Sequence, residues 1–506
     1  MKLGELLQGV ATRNGGANLN ADITSVAYDS RSVLPGGVFV AVRGESTDGN
    51  RFVGDALARG AVAVVSEHPR PLTVSPDLFT PAFPPIPGEI SWVQVEQARR
   101  ALATIAANFY GRPAEGLELV GVTGTNGKTT TSYLVDSILR GADLGTGLFG
   151  TILYRTPKGE QPATHTTPES LDLQSFLAGV RDAGGTHVCM EVSSHALALD
   201  RVWGCRFAVA IFTNLTRDHL DFHKTMDDYF VAKRRLFEGA GAPPPRAGVI
   251  NLDDPYGAQL AGLAERSITY GLRPGAEVTT KRFALTFSGL EFTAQTPIGK
   301  IEVSSPLVGK FNVYNILAAI GAAVGLGLER SAIEEGIHHC THVPGRFERV
   351  DCGQPFLVIV DYAHTDDALR NLLQTARELN KSGRIITLFG CGGERDRTKR
   401  PLMGEVAGSL SDIVVLSSDN PRSEDPLNII NDVLVGLQRT TANSVVEPDR
   451  ARAIEMAIER AQPGDIVLLA GKGHESYQVL NGRTVDFDDR EQVRRVLRGR
   501  GFRKEQ

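Results

Sequence analysis

Apolar residues in this chain fall in short runs that alternate with helix-period segments, and polar, glycine-bearing loops follow the runs. Runs at 22–27, 37–42, 61–65 and 91–95 read as strands of a first unit. Residues 52–59 carry a helical pattern that Gly60 stops. Positions 69–88 hold seven prolines and predict an irregular surface excursion between two strands. A helix over 98–108 leads into a second stretch, where strand candidates at 117–120, 187–192, 207–212 and 248–251 alternate with helical patterns such as 131–139. That alternation predicts a mainly parallel sheet with helices on its faces. Residues 277–303 alternate more like antiparallel strands, expected to extend that sheet, and 312–320 begins another helix. Beyond Pro344 and Gly345 the runs at 356–360, 384–389, 412–416 and 465–470 are continuous, as in strands buried on both faces, and predict a second, Rossmann-like sheet. The expected fold is therefore α/β in three domains: a small one at 1–97, a central one at 98–343 and a C-terminal one at 344–506.

Composition changes this picture little. At 506 residues, 42% hydrophobic and 22% charged, the chain is an ordinary globular one too long for a single core. A net charge of -5 argues against nucleic-acid binding by a basic face, yet leaves room for a small polyanionic substrate. Residues 1–10 have an early charge and no sustained apolar core, and no run is long enough to span a bilayer, so neither a secretion signal nor membrane insertion is expected. The five cysteines are scattered, odd in number and without a C-x-x-C pair, which predicts free thiols in a reducing, cytoplasmic setting. Cys391, in a glycine loop, is the only one expected to be exposed near chemistry, with a structural role favoured even there.

The most informative loop follows the run at 117–120. Gly124, Thr125, Asn126, Gly127, Lys128, Thr129 and Thr130 turn from a strand into a helix. Glycines let backbone N–H groups close around an anion, and the helix start adds positive potential. Lys128 supplies a point charge for the outer phosphates, and the Thr129 hydroxyl can reach magnesium. The general loop G-x-x-x-x-G-K-[ST] is matched except at Val122, which stands where the first glycine is expected.

Other chemistry also lies just past strand ends, where α/β sheets place ligands. Glu191 ends one run and can hold a cation or cap a helix; the two readings are near even. Asp218, His219 and Asp221 crowd oxygen and nitrogen ligands into one loop. Lys233, taken alone, reads as a solvated helix lysine. Four C-terminal strand ends carry loops around Asp361 to His364, Gly390 to Asp396, Ser418 to Arg422 and Gly471 to Glu475, so one edge of that domain is expected to face a ligand.

Together these loops resemble the Mur ligase family, ATP-dependent amide-forming enzymes of peptidoglycan precursor synthesis. Gly124 to Thr130 resembles the family's own phosphate loop, which accounts for the absent first glycine. The resemblance runs through nearly the whole chain, from Asp29, Ser30 and Arg31 through Thr166, Thr167 and Pro168 to the last loops. It implies three domains, binding a uridine nucleotide, ATP and an amino acid in that order. The branch most similar adds the third amino acid, and Asp419, Asn420, Pro421 and Arg422 resemble its meso-diaminopimelate form rather than its L-lysine form. The implied reaction phosphorylates the D-glutamyl γ-carboxylate of UDP-N-acetylmuramoyl-L-alanyl-D-glutamate with ATP, and the amine of diaminopimelate then displaces phosphate.

Roles carry over on the matching positions. Lys128, Lys233 and His219 take catalytic roles. Thr129, Glu191, His219 and a carbamate on Lys233 hold magnesium. Asn312, Arg346, Asp361 and His364 join the phosphate loop in contacting ATP. Tyr28, Ser30, Glu45, Ser46, Thr47, Thr166, Thr167, Ser193 and Arg201 fall on positions for the UDP-sugar peptide. Arg395, Gly471 and Glu475 complete the diaminopimelate pocket, with Glu475 at the ammonium end. Physically, a guanidinium at Arg422 grips a carboxylate bidentately, and lysine would leave it unpaired. The resemblance overrules the solvated reading of Lys233. A monomer is expected. His165, Leu199 and Thr365 depart from the family's common asparagine, glutamine and proline. The alternatives are the same ligase using L-lysine, and a phosphate-loop switch without ligase activity, which would have no use for a pocket at Arg395, Arg422 and Glu475.

Overall fold

The computed structural model describes residues 1–13, 17–44, 47–70 and 90–503. Most of the proline-rich segment lies outside them, as do Glu45 and Ser46.

The first sheet has four parallel strands, Val26–Ala27, Gly37–Val40, Ala61–Ser66 and Ser91–Gln94, in sequence order. Alternate residues point to opposite faces. Val38, Val40, Ala63 and Val65 pack on one side against Leu102, Ile105 and Ala106 of the helix Ala98–Phe109. Phe39, Val64 and Trp92 meet Val53 and Ala56 on the other. Helix Ala98–Phe109 thus gives its apolar stripe to the first core, although it opens the stretch read above as the central domain.

The central sheet has eight strands in the order Arg266–Tyr270, Ala247–Asn251, Val209–Phe212, Glu118–Thr123, His187–Glu191, Thr146–Phe149, Leu153–Thr156 and Gly159–Pro162. The first six are parallel and the last two antiparallel. Val120 and Val122 face Leu134, Ile138 and Ile316 of the helices Lys128–Gly141 and Lys310–Leu326, while Leu119 faces the opposite core with Met190 and Phe237. The stretch 277–303, expected to extend this sheet, instead falls mainly in a separate antiparallel sheet of three strands, Phe283–Thr286, Gly289–Thr296 and Gly299–Ser305. Isolated bridges from Tyr270 to Val278 and from Thr279 to Gln295 connect the two.

The last sheet has six strands in the order Glu348–Arg349, Leu357–Asp361, Ile466–Ala470, Ile385–Phe389, Ile413–Leu416 and Asn443–Val446, all parallel except the first. Both faces are covered: Ile359, Phe389 and Leu468 belong to one core, Val358, Leu388 and Leu469 to the other. The four loops singled out in the sequence leave the carboxyl ends of its inner strands. All five cysteines are buried, and Cys391, expected exposed, has its thiol 3.6 Å from Met403 Sδ. Burial pushes that thiol up to about 12, which disfavours the reactive thiolate. Among the described residues no helix is long and apolar enough to cross a membrane.

Candidate active site

The phosphate loop joins the central strand Glu118–Thr123 to the helix Lys128–Gly141. Val122 lies in the strand core, and Gly124 makes the turn with φ +147°. A Cβ at Gly124 would stand 1.8 Å from Thr213 Oγ1, the hydroxyl that donates to the Asn126 carbonyl at 2.6 Å. The neighbouring strand also holds the loop: the Asn214 side chain accepts from the Asn126 N–H at 2.9 Å. We expect Gly124→Ala to break this packing, costing about 1–3 kcal/mol of stability and most nucleotide affinity; melting curves and ADP titration check both.

Lys128 Nζ curls onto the loop, 3.0 Å from the Gly124 carbonyl and 2.9 Å from that of Thr125. Lys233 Nζ reaches the same Gly124 carbonyl at 2.8 Å and lies 4.4 Å from the Tyr229 ring centroid. Lys233 is only 1% exposed, so the solvated-helix reading fails. The reason is helical period: Tyr229, Lys233, Leu236 and Phe237 share the buried face of the helix Met226–Glu238. Burial, reinforced by the charge of Lys128, holds the Lys233 ammonium well below the usual lysine range, against the pull of Asp218.

Glu191, buried at the end of the strand His187–Glu191, accepts from the Thr151 N–H at 2.8 Å and the Thr151 hydroxyl at 3.1 Å. The Thr129 hydroxyl, in the first turn of the phosphate-loop helix, accepts from Arg346 at 3.0 Å. His219 has a left-handed backbone (φ 55°), and its Nε2 lies 3.3 Å from Asp218. Burial pushes this imidazole down to about 3 despite that carboxylate, which keeps its ring nitrogen lone pair available. Among the described residues no three His, Cys, Asp or Glu side chains form a metal cage. Thr129 and Glu191 nonetheless offer oxygen donors of the kind magnesium takes when phosphates and water complete its shell, and His219 adds a ring nitrogen to the same cavity.

The third unit closes over this loop. Its Arg346 reaches Thr129, and its Asp367 accepts from Asn126 at 2.8 Å. Asp218 lies 3.8 Å from His364 and 3.9 Å from Lys399. Burial alone would push the Asp218 carboxyl up, but the nearby His364, His219 and Lys399 hold it well below the usual range. Further along, Asn420 donates to Glu475 at 2.8 Å, and the fully buried Lys472 pairs with the same carboxylate at 3.2 Å. Burial and the charge of Asp419 keep Glu475 easier to protonate than an ordinary glutamate, with Lys472 opposing. Arg422, at φ 56°, donates to the Gly393 carbonyl. One cavity of about 1260 Å³ is lined by Lys128, Glu191, His219, Arg346, Arg395, Arg422 and Glu475 together.

Three regions match the Mur ligase family in sequence: residues 22–110 its catalytic domain, 122–323 its middle domain and 345–473 its glutamate ligase domain. A UDP-N-acetylmuramoyl-L-alanyl-D-glutamate--2,6-diaminopimelate ligase from Solibacter usitatus is 54% identical over 509 residues, covering 100% of both chains. The chain belongs to the Mur ligase family. A relative of the same description from Geobacter metallireducens is 46% identical over 98% of each chain. A solved structure described as a 2,6-diaminopimelate ligase of this kind superposes with a TM-score of 0.67 at 32% identity, covering 99% of both chains. A folylpolyglutamate synthase from Mycobacterium tuberculosis shares the fold over 80% of this chain, with a TM-score of 0.62 at 17% identity.

The residues named above come from all three units, and most of them meet. Thr166, Ser193 and Arg201 line the cavity beside the phosphate loop, as do Asp361 and His364. Arg201 pairs with Glu169 at 2.9 Å and donates to the Thr167 carbonyl at 3.1 Å; the Thr167 hydroxyl itself bonds to the Glu191 carbonyl at 2.9 Å. Others stand back from the cavity wall. Tyr28 donates to Asp172 at 2.7 Å, which ties the first unit to the helix Ser170–Asp182. Ser30 lies in a short turn, and the exposed Thr47 accepts from the Gly44 N–H at 2.8 Å. Asn312 accepts from Asn315 at 2.8 Å, and it is Asn315 that reaches the cavity. The Asp361 carboxylate accepts from the Phe347 and Ala363 N–H groups at 2.6 and 2.8 Å, shaping its own turn. Pro421 shapes the loop through its backbone, close against Gly393. Sequence reasoning missed Thr151 and Asp367, whose partners Glu191 and Asn126 lie far along the chain, and Lys472, whose partner Glu475 is only three residues on. Thr365, which replaces the common proline, caps the helix Asp366–Leu379 through its hydroxyl.

Proposed function

We propose that this chain joins meso-diaminopimelate to the D-glutamyl γ-carboxylate of UDP-N-acetylmuramoyl-L-alanyl-D-glutamate, with cleavage of ATP to ADP and phosphate, in peptidoglycan precursor synthesis. The observation that carries this is one cavity lined by Lys128, Arg422 and Glu475 together. The γ-carboxylate oxygen attacks the γ-phosphorus, ADP leaves, and an acyl phosphate forms. The amine nitrogen then attacks the acyl carbon, and phosphate leaves as the nitrogen loses a proton. Carboxylate and polyphosphate repel each other, so the first step needs fixed cations, and Lys128 and Arg346 stand at the loop to supply them. Thr129, Glu191 and His219 would hold magnesium, whose charge would stabilise the transferring phosphoryl group. Lys233, whose ammonium form burial and the charge of Lys128 disfavour, can as the free amine add to carbon dioxide: an N–C bond forms, a proton leaves, and an anionic carbamate results. Arg422 and Arg395 suit the distal carboxylate of diaminopimelate, and Glu475 its ammonium. We propose that the enzyme works in the cytoplasm as a monomer.

Phosphate release with the UDP-muramoyl dipeptide and a panel of amino acids tests this. Meso-diaminopimelate should support turnover and L-lysine should not; a lysine preference would reverse the reading of Arg422. For Arg422→Ala, loss of a charge-assisted pair worth about 1.5–3 kcal/mol should lower kcat/KM for diaminopimelate roughly 10- to 150-fold.

A further inference from the structure

Arg450 and Asp489 form an ion pair in which both side chains are 0% exposed. Arg450 Nε donates to Asp489 Oδ1 at 2.8 Å, and Nη2 to Oδ2 at 2.6 Å. The guanidinium has two further bonds. Nη1 donates to the Ser418 carbonyl at 3.3 Å, and Nη2 to the Ala470 carbonyl at 3.2 Å. Ser418 immediately precedes Asp419, Asn420, Pro421 and Arg422; Ala470 immediately precedes Gly471, the start of the loop to Glu475. One side chain therefore grips the roots of both loops assigned above to the amino-acid pocket.

The sheet order explains why such a grip is needed. Ile466–Ala470 and Ile413–Leu416 are not neighbours, because Ile385–Phe389 lies between them. No ladder hydrogen bond of this sheet joins those two strands; beyond Glu475 the second loop meets the first where the Arg422 N–H donates to the Val479 carbonyl at 3.1 Å and Gln478 donates to the Asp419 carbonyl at 2.6 Å. Yet the loops must agree closely: Asn420 of one holds Glu475 of the other at 2.8 Å, and a Cβ on Gly471 would come within 2.7 Å of Asp419 Oδ2. Asp419 and Glu475 also lie within electrostatic reach of the Arg450 charge.

We infer that the Arg450–Asp489 pair is the positioning device that sets the spacing of the two amino-acid-pocket loops, and with it the affinity for the incoming amino acid. Arg450 touches no reacting atom; it acts through Ser418 and Ala470. The inference rests on the ligase reading for the identity of the pocket. A structural core pair would affect folding alone, because replacing a buried ion pair by apolar residues of similar volume is often neutral or stabilising.

The test is the double variant Arg450→Met/Asp489→Leu, with Arg450→Lys as a second variant that keeps the charge and loses the fork. Melting curves establish folding. Kinetics are read with whichever amino acid the wild type accepts, so a wrong substrate assignment appears in the wild type and a wrong inference only in the variants. We expect the KM for the amino acid to rise about 10- to 100-fold, the scale of a misplacement near 1 Å, while the KM values for ATP and the nucleotide-sugar peptide stay at wild type. An unchanged amino-acid KM in a folded variant overturns the inference, and so does an equal rise for all three substrates. Should the double variant not fold, the same ratio in Arg450→Lys decides.

Discussion

Lys128→Ala is expected to abolish ligation, lowering ATP-dependent phosphate release by at least about 10³-fold, the scale seen when a fixed positive group is removed from a phosphoryl-transfer site. The ammonium rests on the Gly124 and Thr125 carbonyls, where the outer phosphates of ATP would stand, and burial already lowers its charge preference against the pull of Glu191 and Asp218. Those two carbonyls are its hydrogen-bond partners, so the fold should survive, and an unchanged melting temperature separates lost chemistry from lost structure. Activity within tenfold of wild type would mean that nucleotide phosphates bind elsewhere.

Lys233→Ala is expected to cost at least about 10²-fold in turnover, and millimolar acetate or formate to restore part of it. The side chain is buried, pushed toward the neutral amine, and fixed 2.8 Å from the carbonyl that Lys128 also uses. Two ammonium groups this close repel each other; a carbamate at one of them turns repulsion into attraction and adds an anionic oxygen donor to the site. Stripping carbon dioxide and bicarbonate should lower wild-type turnover and leave the variant as it is. Turnover of Lys233→Ala at the wild-type rate would remove this role.

Much of the architecture was legible because it is local. Continuous apolar runs located the inner strands of the last sheet within about a residue, since buried parallel strands need no polar face. The glycine, lysine and threonine spacing located the phosphate loop for the same reason. Lys233 had a local signal that composition concealed: it sits four residues after Tyr229 and three before Leu236, on the stripe that faces the core. What stayed hidden depends on partners distant in sequence. The Arg450–Asp489 pair spans 39 positions, and Asn126 meets Asp367 across 241. The hairpin Tyr477–Leu480 with Arg483–Asp486 was missed because the second strand is exposed throughout and carries no alternating apolar pattern. The helix Ala98–Phe109 reads correctly as a helix, but nothing in its own residues says which sheet it covers.

In the proposed reaction, the groups assigned to activating the acid and those assigned to selecting the amine hang from two different sheets, joined through a few contacts around Asp218, Asn126 and Thr129. Choice of building block and energy coupling are therefore separable traits: loops at the edge of the terminal sheet can drift, or be grafted from a relative, while the phosphorylating apparatus is left untouched.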